Sequence, residues 1–383
     1  MIEITGIGFP NKGAELMLLA AVAAVRERLG EDVPICCCPS PGSEVGYLVL
    51  GKAGILQRLW LQRKGSDFSR LVAGVVPKKL LRTYGVVAED EVTTVLDASG
   101  FGYSDQWGLR GAQVRAAEYC RLRDRGGTLV MLPQAFGPFR TPGFENTMKS
   151  IVASAARVFV RDQHSAAALR ELVGDNPVIR EAPDFTCLFP GTPPESAEFL
   201  RGGIAVIPNR RMLDKTGQGD AAAYENCLHT AIGACRGRGR QVYLLNHEGP
   251  ADAEICERLR QRYDPVLPMF ASKSAQEIKG VIGTAAGVIT SRFHGLVSAL
   301  VQGVPAMCTS WSHKYEALLA DFGRPEWILR PGDDAHTTEA RVNAWLDEGV
   351  EAGATEQQRL AGIAVEYKRK TQALWDDVCS LAG

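Results

Sequence analysis

No excess of either charge exists in this chain: 43 Lys+Arg face 44 Asp+Glu over 383 residues, a formal charge of -1. Without a global basic field to grip a phosphate backbone, a dedicated nucleic-acid binder is disfavoured. No apolar run reaches the ~18 residues of a membrane span. The opening Met1-Ile2-Glu3-Ile4 lacks the basic start and long apolar core of a signal peptide. The ten cysteines contain no CxxC pair. Cys36, Cys37 and Cys38 are consecutive and would alternate faces on an extended segment, so they form no compact metal cage and read as small apolar thiols in a buried strand. Such usage points to a reducing compartment, and a cytoplasmic protein is expected. HExxH, Cys/His metal spacing and GxSxG are missing too, leaving zinc hydrolysis and serine acyl transfer without support.

What is present is an ordinary globular composition, 45% hydrophobic and 23% charged. At about 150 residues per domain the length predicts two to three domains. Short apolar runs alternate with helix-length stretches, the mark of parallel α/β layers. Strands are predicted at 2–9, 33–38, 93–98, 128–132, 157–160 and 177–180, with helices at 14–29, 109–125, 144–155 and 163–172. A Pro/Gly-rich linker at 189–194 separates these from strands at 203–207, 241–245, 265–268, 287–290 and 305–308 and helices at 221–235, 251–262, 274–282, 295–301 and 314–321. Two Rossmann-like domains follow, at 1–190 and 200–350, with a tail helix at 355–383 expected to pack back on the first. Residues 42–91 break the alternation. Around Ile55, Leu56, Leu59 and Trp60, and again from Leu71 to Leu81, apolar positions have helical spacing and are interleaved with Arg58, Arg63, Lys64, Arg70, Lys78, Lys79 and Arg82. This insert reads either as solvated surface helices or as an amphipathic patch for an anionic membrane or a lipid-linked substrate.

Ligands of open α/β sheets bind beyond the carboxyl ends of the strands, so the residues after each strand carry most information. Gly8 to Glu15 is neither a P-loop nor GxGxxG, yet its glycines allow close backbone approach. Ser99 to Trp107 offers Asp105 as a base or hydroxyl acceptor and Tyr103 and Trp107 as flat surfaces for a sugar ring; Pro133 to Phe139 follows the next strand. In the second half, Pro208-Asn209-Arg210-Arg211, Asn246-His247-Glu248 and Ser291-Arg292-Phe293-His294-Gly295 bring arginines, two histidines and a helix start to one sheet edge. Guanidinium groups and helix N–H donors suit a small anion, and histidine can exchange a proton near neutral pH. Lys314 could contact an anion or cap a helix, while His164, His229 and His336 fall on helix faces.

The pattern resembles the polysaccharide pyruvyl transferase family. The resemblance runs over most of 1–325, through Asn11-Lys12-Gly13, Gly100 to Trp107, Pro133 to Pro138, Val160-Arg161-Asp162 with Ser165, and Ala182-Pro183-Asp184. It continues through Asn246-His247-Glu248 before Asp252, Ser291 to Gly295, Gly303-Val304-Pro305, and Lys314 before Phe322-Gly323. Where many relatives have Gly-Asp after the first-loop asparagine this chain has Lys12-Gly13-Ala14-Glu15, and the usual glycine triplet is Ala98-Ser99-Gly100.

The resemblance implies an α/β, GT-B-like fold, its two Rossmann-like domains facing across a cleft. It also implies transfer of the pyruvyl group of phosphoenolpyruvate onto two hydroxyls of a sugar or lipid-linked glycan, with no further cofactor and no metal. His294 is then the expected acid, His247 a second proton carrier and Asp105 an acceptor of the sugar's proton. Arg292, Arg210, Arg211, Asn209, Asn246, Ser291, Gly295 and Lys314 would bind the donor. Asn11, Lys12, Glu15, Tyr103, Trp107 and Gln134 would bind the acceptor. The alternatives are a GT-B glycosyltransferase with a nucleotide-sugar donor and a non-catalytic sugar-binding protein of the same fold.

Overall fold

The structure, a computed structural model, describes residues 1–7, 11–38, 47–63, 66–214, 220–263, 267–310 and 312–382. Two parallel-sheet α/β domains make up the chain. The first compact unit comprises Met1–Pro10, Met17–Thr186 and Lys370–Gly383, the second Asn11–Leu16 and Cys187–Arg369.

The first unit carries an eight-stranded sheet in the order Ile179–Glu181, Arg157–Val160, Thr128–Gln134, Thr94–Asp97, Ile2–Thr5, Ile35–Cys37, Leu56–Arg58, Val86–Val87, all parallel. The second carries six parallel strands, Met269–Ala271, Val242–Asn246, Ile204–Ile207, Gly287–Thr290, Ala306–Thr309 and Ile328–Leu329. Its central run Ile204-Ala205-Val206-Ile207 is wholly buried. Strands covered on both faces read as continuous apolar segments, which is why this core was legible without alternation. The predicted strand at 265–268 is found instead at Met269–Ala271, and residues 264–266, like the loop residues Gly8 to Pro10, lie outside the described residues.

The insert is mixed rather than helical. Helices Tyr47–Lys52, Ser69–Val75 and Lys78–Thr83 alternate with short strands, and Leu56–Arg58 joins the sheet by pairing Leu56 with Cys36. An unpaired strand edge beside Ile35–Cys37 outweighs the local helical spacing. Arg58 therefore leaves the expected surface patch. It is buried against Glu3 and Glu118 at 3.0 Å each.

The last helix, Ala354–Ala382, continues through both units. In the first unit its Trp375 lies edge-on to Phe185, and Asp377 accepts from Arg157 at 3.0 Å and from Arg180 at 2.9 Å.

Candidate functional site

The second sheet reverses its winding between Ile204–Ile207 and Gly287–Thr290, and such a switch point is where open α/β sheets hold ligands. Asn209 and Ser291 leave these two strands and are locked together. The Asn209 amide donates to the Ser291 carbonyl at 2.8 Å, the Asn209 N–H donates to the Tyr224 hydroxyl at 2.9 Å, and that hydroxyl lies 2.7 Å from Ser291 Oγ. Thr309 donates to Ser291 Oγ at 2.7 Å and Tyr315 to the Ser291 carbonyl at 2.9 Å. Asn209 and Ser291 thus build the floor of the site, with their polar groups already in protein hydrogen bonds.

Arg292 is the N-cap of the helix Phe293–Leu300. Its Nε donates to Asp252 Oδ2 at 2.9 Å, one Nη to Asp252 Oδ1 at 2.5 Å, and the other Nη to Glu248. Asp252 also accepts the Arg210 N–H at 3.0 Å. Burial works against charge on both partners, raising the Asp252 carboxyl and lowering the Arg292 guanidinium, so each charge is tolerable because of the other. The guanidinium is therefore no open clamp: it is a buried strut tying the Asn209 and Ser291 loops to the helix Gly249–Arg260.

His247 and His294, expected from the sequence as proton carriers, both stand at this edge. His247 is 4% exposed, and its Nδ1 and the neighbouring Asn246 Oδ1 are buried without a hydrogen-bond partner among the described residues. Burial, then Arg292, His294 and Lys12, holds its pKa well below the usual imidazole value. His294 is the second residue of Phe293–Leu300, whose start no side chain caps. A Cβ on Gly13 would collide with His294 Nδ1, and one on Gly295 would lie 2.7 Å from Thr290 Oγ1. Gly13 is thus the close approach that seats the imidazole, and Gly295 lets the helix start pack on Thr290.

Asn11, Lys12 and Glu15, expected on the acceptor side, belong to the second unit. Asn11 caps the first helix, accepting from Gly13 N–H at 2.9 Å; Lys12 pairs with Glu15 and donates to the Lys273 carbonyl at 2.7 Å; Glu15 accepts the Ala275 N–H at 3.1 Å. Arg210 and Arg211 are half exposed and lean toward Asp214, at 3.0 Å and 3.9 Å. Lys314 is buried with its ammonium 5.0 Å from the Phe293 ring centre, a cation–π placement.

The first unit corrects three expectations. Asp105 accepts the Arg140 and Thr141 N–H groups, at 2.7 Å and 2.9 Å, one on each oxygen. Desolvation, the largest single effect, raises its pKa, but the Arg140 and Thr141 hydrogen bonds and the Arg140 charge together outweigh it and lower it, making Asp105 a loop clip and a weak base. Tyr103 is buried and donates to Asp97 Oδ2 at 2.5 Å, beside Tyr119 at 2.7 Å from the same oxygen, so it offers no face to a sugar. Gln134 is fully buried, its amide donating to the Asp97 carbonyl at 3.4 Å. Trp107 alone of these rings is open, 42% exposed.

The family model for polysaccharide pyruvyl transferase matches residues 11–313. The chain belongs to this family. No curated relative matches it significantly. Among solved structures it is similar to Anabaena HepE in complex with UDP-glucose, with TM-score 0.60, 14% identity, and 99% of each chain covered. It is also similar to UDP-GlcNAc 2-epimerases of Methanocaldococcus jannaschii (TM-score 0.58, 9% identity, 91% and 93% covered) and Neisseria meningitidis bound to UDP-GlcNAc (0.56, 9%, 97% and 99%). These likenesses show the GT-B-like, Rossmann-like fold.

Within this polysaccharide pyruvyl transferase family member, several family-like motifs prove architectural. Arg161 donates to Asp184 at 2.6 Å and to the Gly100 carbonyl, while Asp162 caps its helix through Ser165 at 2.8 Å. Sequence reasoning named Asp252 only within the family pattern, without a role, and did not single out Tyr224 or Tyr315. The role of Asp252 could have been found: with Ile255, Cys256 and Leu259 it lies on one helical face, and a carboxylate on an apolar face needs a buried cation. The tyrosines carried no such signal.

Proposed function

We propose that the protein transfers the pyruvyl group of phosphoenolpyruvate to two hydroxyls of one sugar, forming a cyclic ketal and releasing phosphate in polysaccharide biosynthesis. The observation that carries this reading is the convergence of His247, His294 and Lys12 with the buried Arg292 at the switch point of the second sheet. A carboxylate-bearing phosphate ester matches the N–H donors of the helix start at Phe293, which no side chain caps, with two imidazoles beside it.

His294 gives a proton to the methylene carbon, and the C2 centre gains oxocarbenium character. One sugar hydroxyl adds to C2 and the C–O bond to phosphate breaks. The second hydroxyl then closes the ketal. Of the two hydroxyl protons released, one restores His294 and the other leaves with phosphate. His247, neutral because it is buried among cations, accepts the first hydroxyl proton and passes it on. Arg292 acts through position: held by Asp252 and Glu248, it fixes the strand-end loop from which His294 rises. Lys12 supplies positive charge near the donor, and Trp107 remains a stacking surface for the acceptor.

The test is incubation with phosphoenolpyruvate and candidate glycosides, reading ketal mass and released phosphate. His294→Gln is expected to cut the rate on the order of 10²–10⁴-fold while the protein stays folded; near-normal transfer would remove the acid role. A thermal shift with UDP-sugars but none with phosphoenolpyruvate would favour a glycosyltransferase instead.

A further inference from the structure

The insert of the first unit carries a surface that neither the fold nor the transfer chemistry requires. Of the eleven large hydrophobic side chains exposed among the described residues, six lie between Leu61 and Tyr84. Leu71 is 66% exposed and Val75 76%, one turn apart on the helix Ser69–Val75; Leu80 is 49% and Tyr84 63%, one turn apart on and just after Lys78–Thr83. These two pairs have no core to fill. Ser69, Arg70 and Ala73 line a cavity of about 460 Å³ together with Leu59, Glu89, Asp90, Arg121 and Arg125.

Charge on the same segment has one sign. From Phe68 to Ala88 the sequence holds Arg70, Lys78, Lys79 and Arg82 and no acidic residue. Lys78 and Arg82 anchor the second helix to Asp90 at 2.7 Å and Glu91 at 2.9 Å. Arg70 and Lys79 are exposed and make no ion pair among the described residues. Exposed apolar side chains at helical spacing, with cations beside them, match the interface of a bilayer whose headgroups are anionic. No helix among the described residues is long and apolar enough to cross a membrane, so contact of this kind is peripheral.

We propose that the surface formed by Leu71, Val75, Leu80 and Tyr84, with Arg70 and Lys79, docks the protein on an anionic lipid membrane. Docking places it where a lipid-linked acceptor would be; that consequence rests on the transferase reading, whereas docking itself does not. Such binding weakens with added salt through screening of the cations.

The test is co-sedimentation of the full chain with vesicles of phosphatidylcholine alone and of phosphatidylcholine mixed with phosphatidylglycerol. Binding is expected only to the mixed vesicles and is expected to fall at high salt. Leu71→Glu with Val75→Glu should lower partitioning at least about tenfold, and Arg70→Gln with Lys79→Gln about fivefold per charge. Val114→Glu, an exposed apolar position outside the insert, should change nothing. Transfer to a water-soluble acceptor should be intact in the Leu71/Val75 variant, separating failure of docking from failure of the transferase reading. The proposal is overturned if the protein ignores mixed vesicles, if the Leu71/Val75 variant binds like wild type, or if that variant instead breaks a dimer seen by light scattering, which would make the surface a contact between copies.

Discussion

Asp252 and His247 show how single residues are governed by what surrounds them. Asp252 holds Arg292 through both oxygens, and removing one partner of a buried pair leaves the other charge uncompensated. Asp252→Asn should therefore cost about 3–5 kcal/mol of stability, read as a lowered urea midpoint, and lower kcat by loosening the His294 loop. His247 has the opposite problem, since it must stay neutral in the folded chain. In the unfolded chain it takes up a proton near 6.5. Below that pH the unfolded state binds the extra proton, so the stability His247 contributes is present above about 6.5 and is lost as pH falls toward its depressed folded value. Wild type should lose up to about 1.4 kcal/mol per pH unit from this group in that window. Urea midpoints at neutral and acidic pH should show a shallower acid loss in His247→Asn; an unchanged slope would show that the burial argument is mistaken.

Helix starts matter more than helix interiors at the scale of elements. Asn11 caps the first helix and Gly13 clears space for His294 within the same turn. Alanine in a helix normally adds up to about 1 kcal/mol over glycine. Gly13→Ala should behave differently, displacing His294 and reducing transfer at least about tenfold while the helical circular dichroism signal is kept. The predicted helix start at Ala14 missed this turn by two residues, because capping depends on where the chain enters and not on apolar period. The insert was misread for a related reason. Ile55 to Trp60 has helical spacing, but Leu56–Arg58 gains ladder bonds along the backbone edge of the buried strand Ile35–Cys37 and becomes a strand.

Over the whole molecule, the last helix runs through two compact units, and Trp375 is fully buried in the first. Trp375→Ala should cost about 3–5 kcal/mol, measured as an earlier unfolding transition of that unit. Alternation of apolar runs with helix-length segments was enough to establish two parallel-sheet domains, since strands buried on both faces must be continuously apolar and hydrophobicity is a local property. The order of strand-end motifs likewise pointed to the family, and the placing of His247 and His294 just after strands of the second sheet was legible too. Which polar side chains remain open to a ligand was not legible. Arg292, Asn209, Tyr103 and Asp105 all lie beside strand ends, yet in each the polar group is held by partners distant in sequence or in a neighbouring loop. A residue's type states which bonds it can make; only the packed chain decides whether those bonds are already made, because burial forces every polar group to find a partner wherever the fold supplies one.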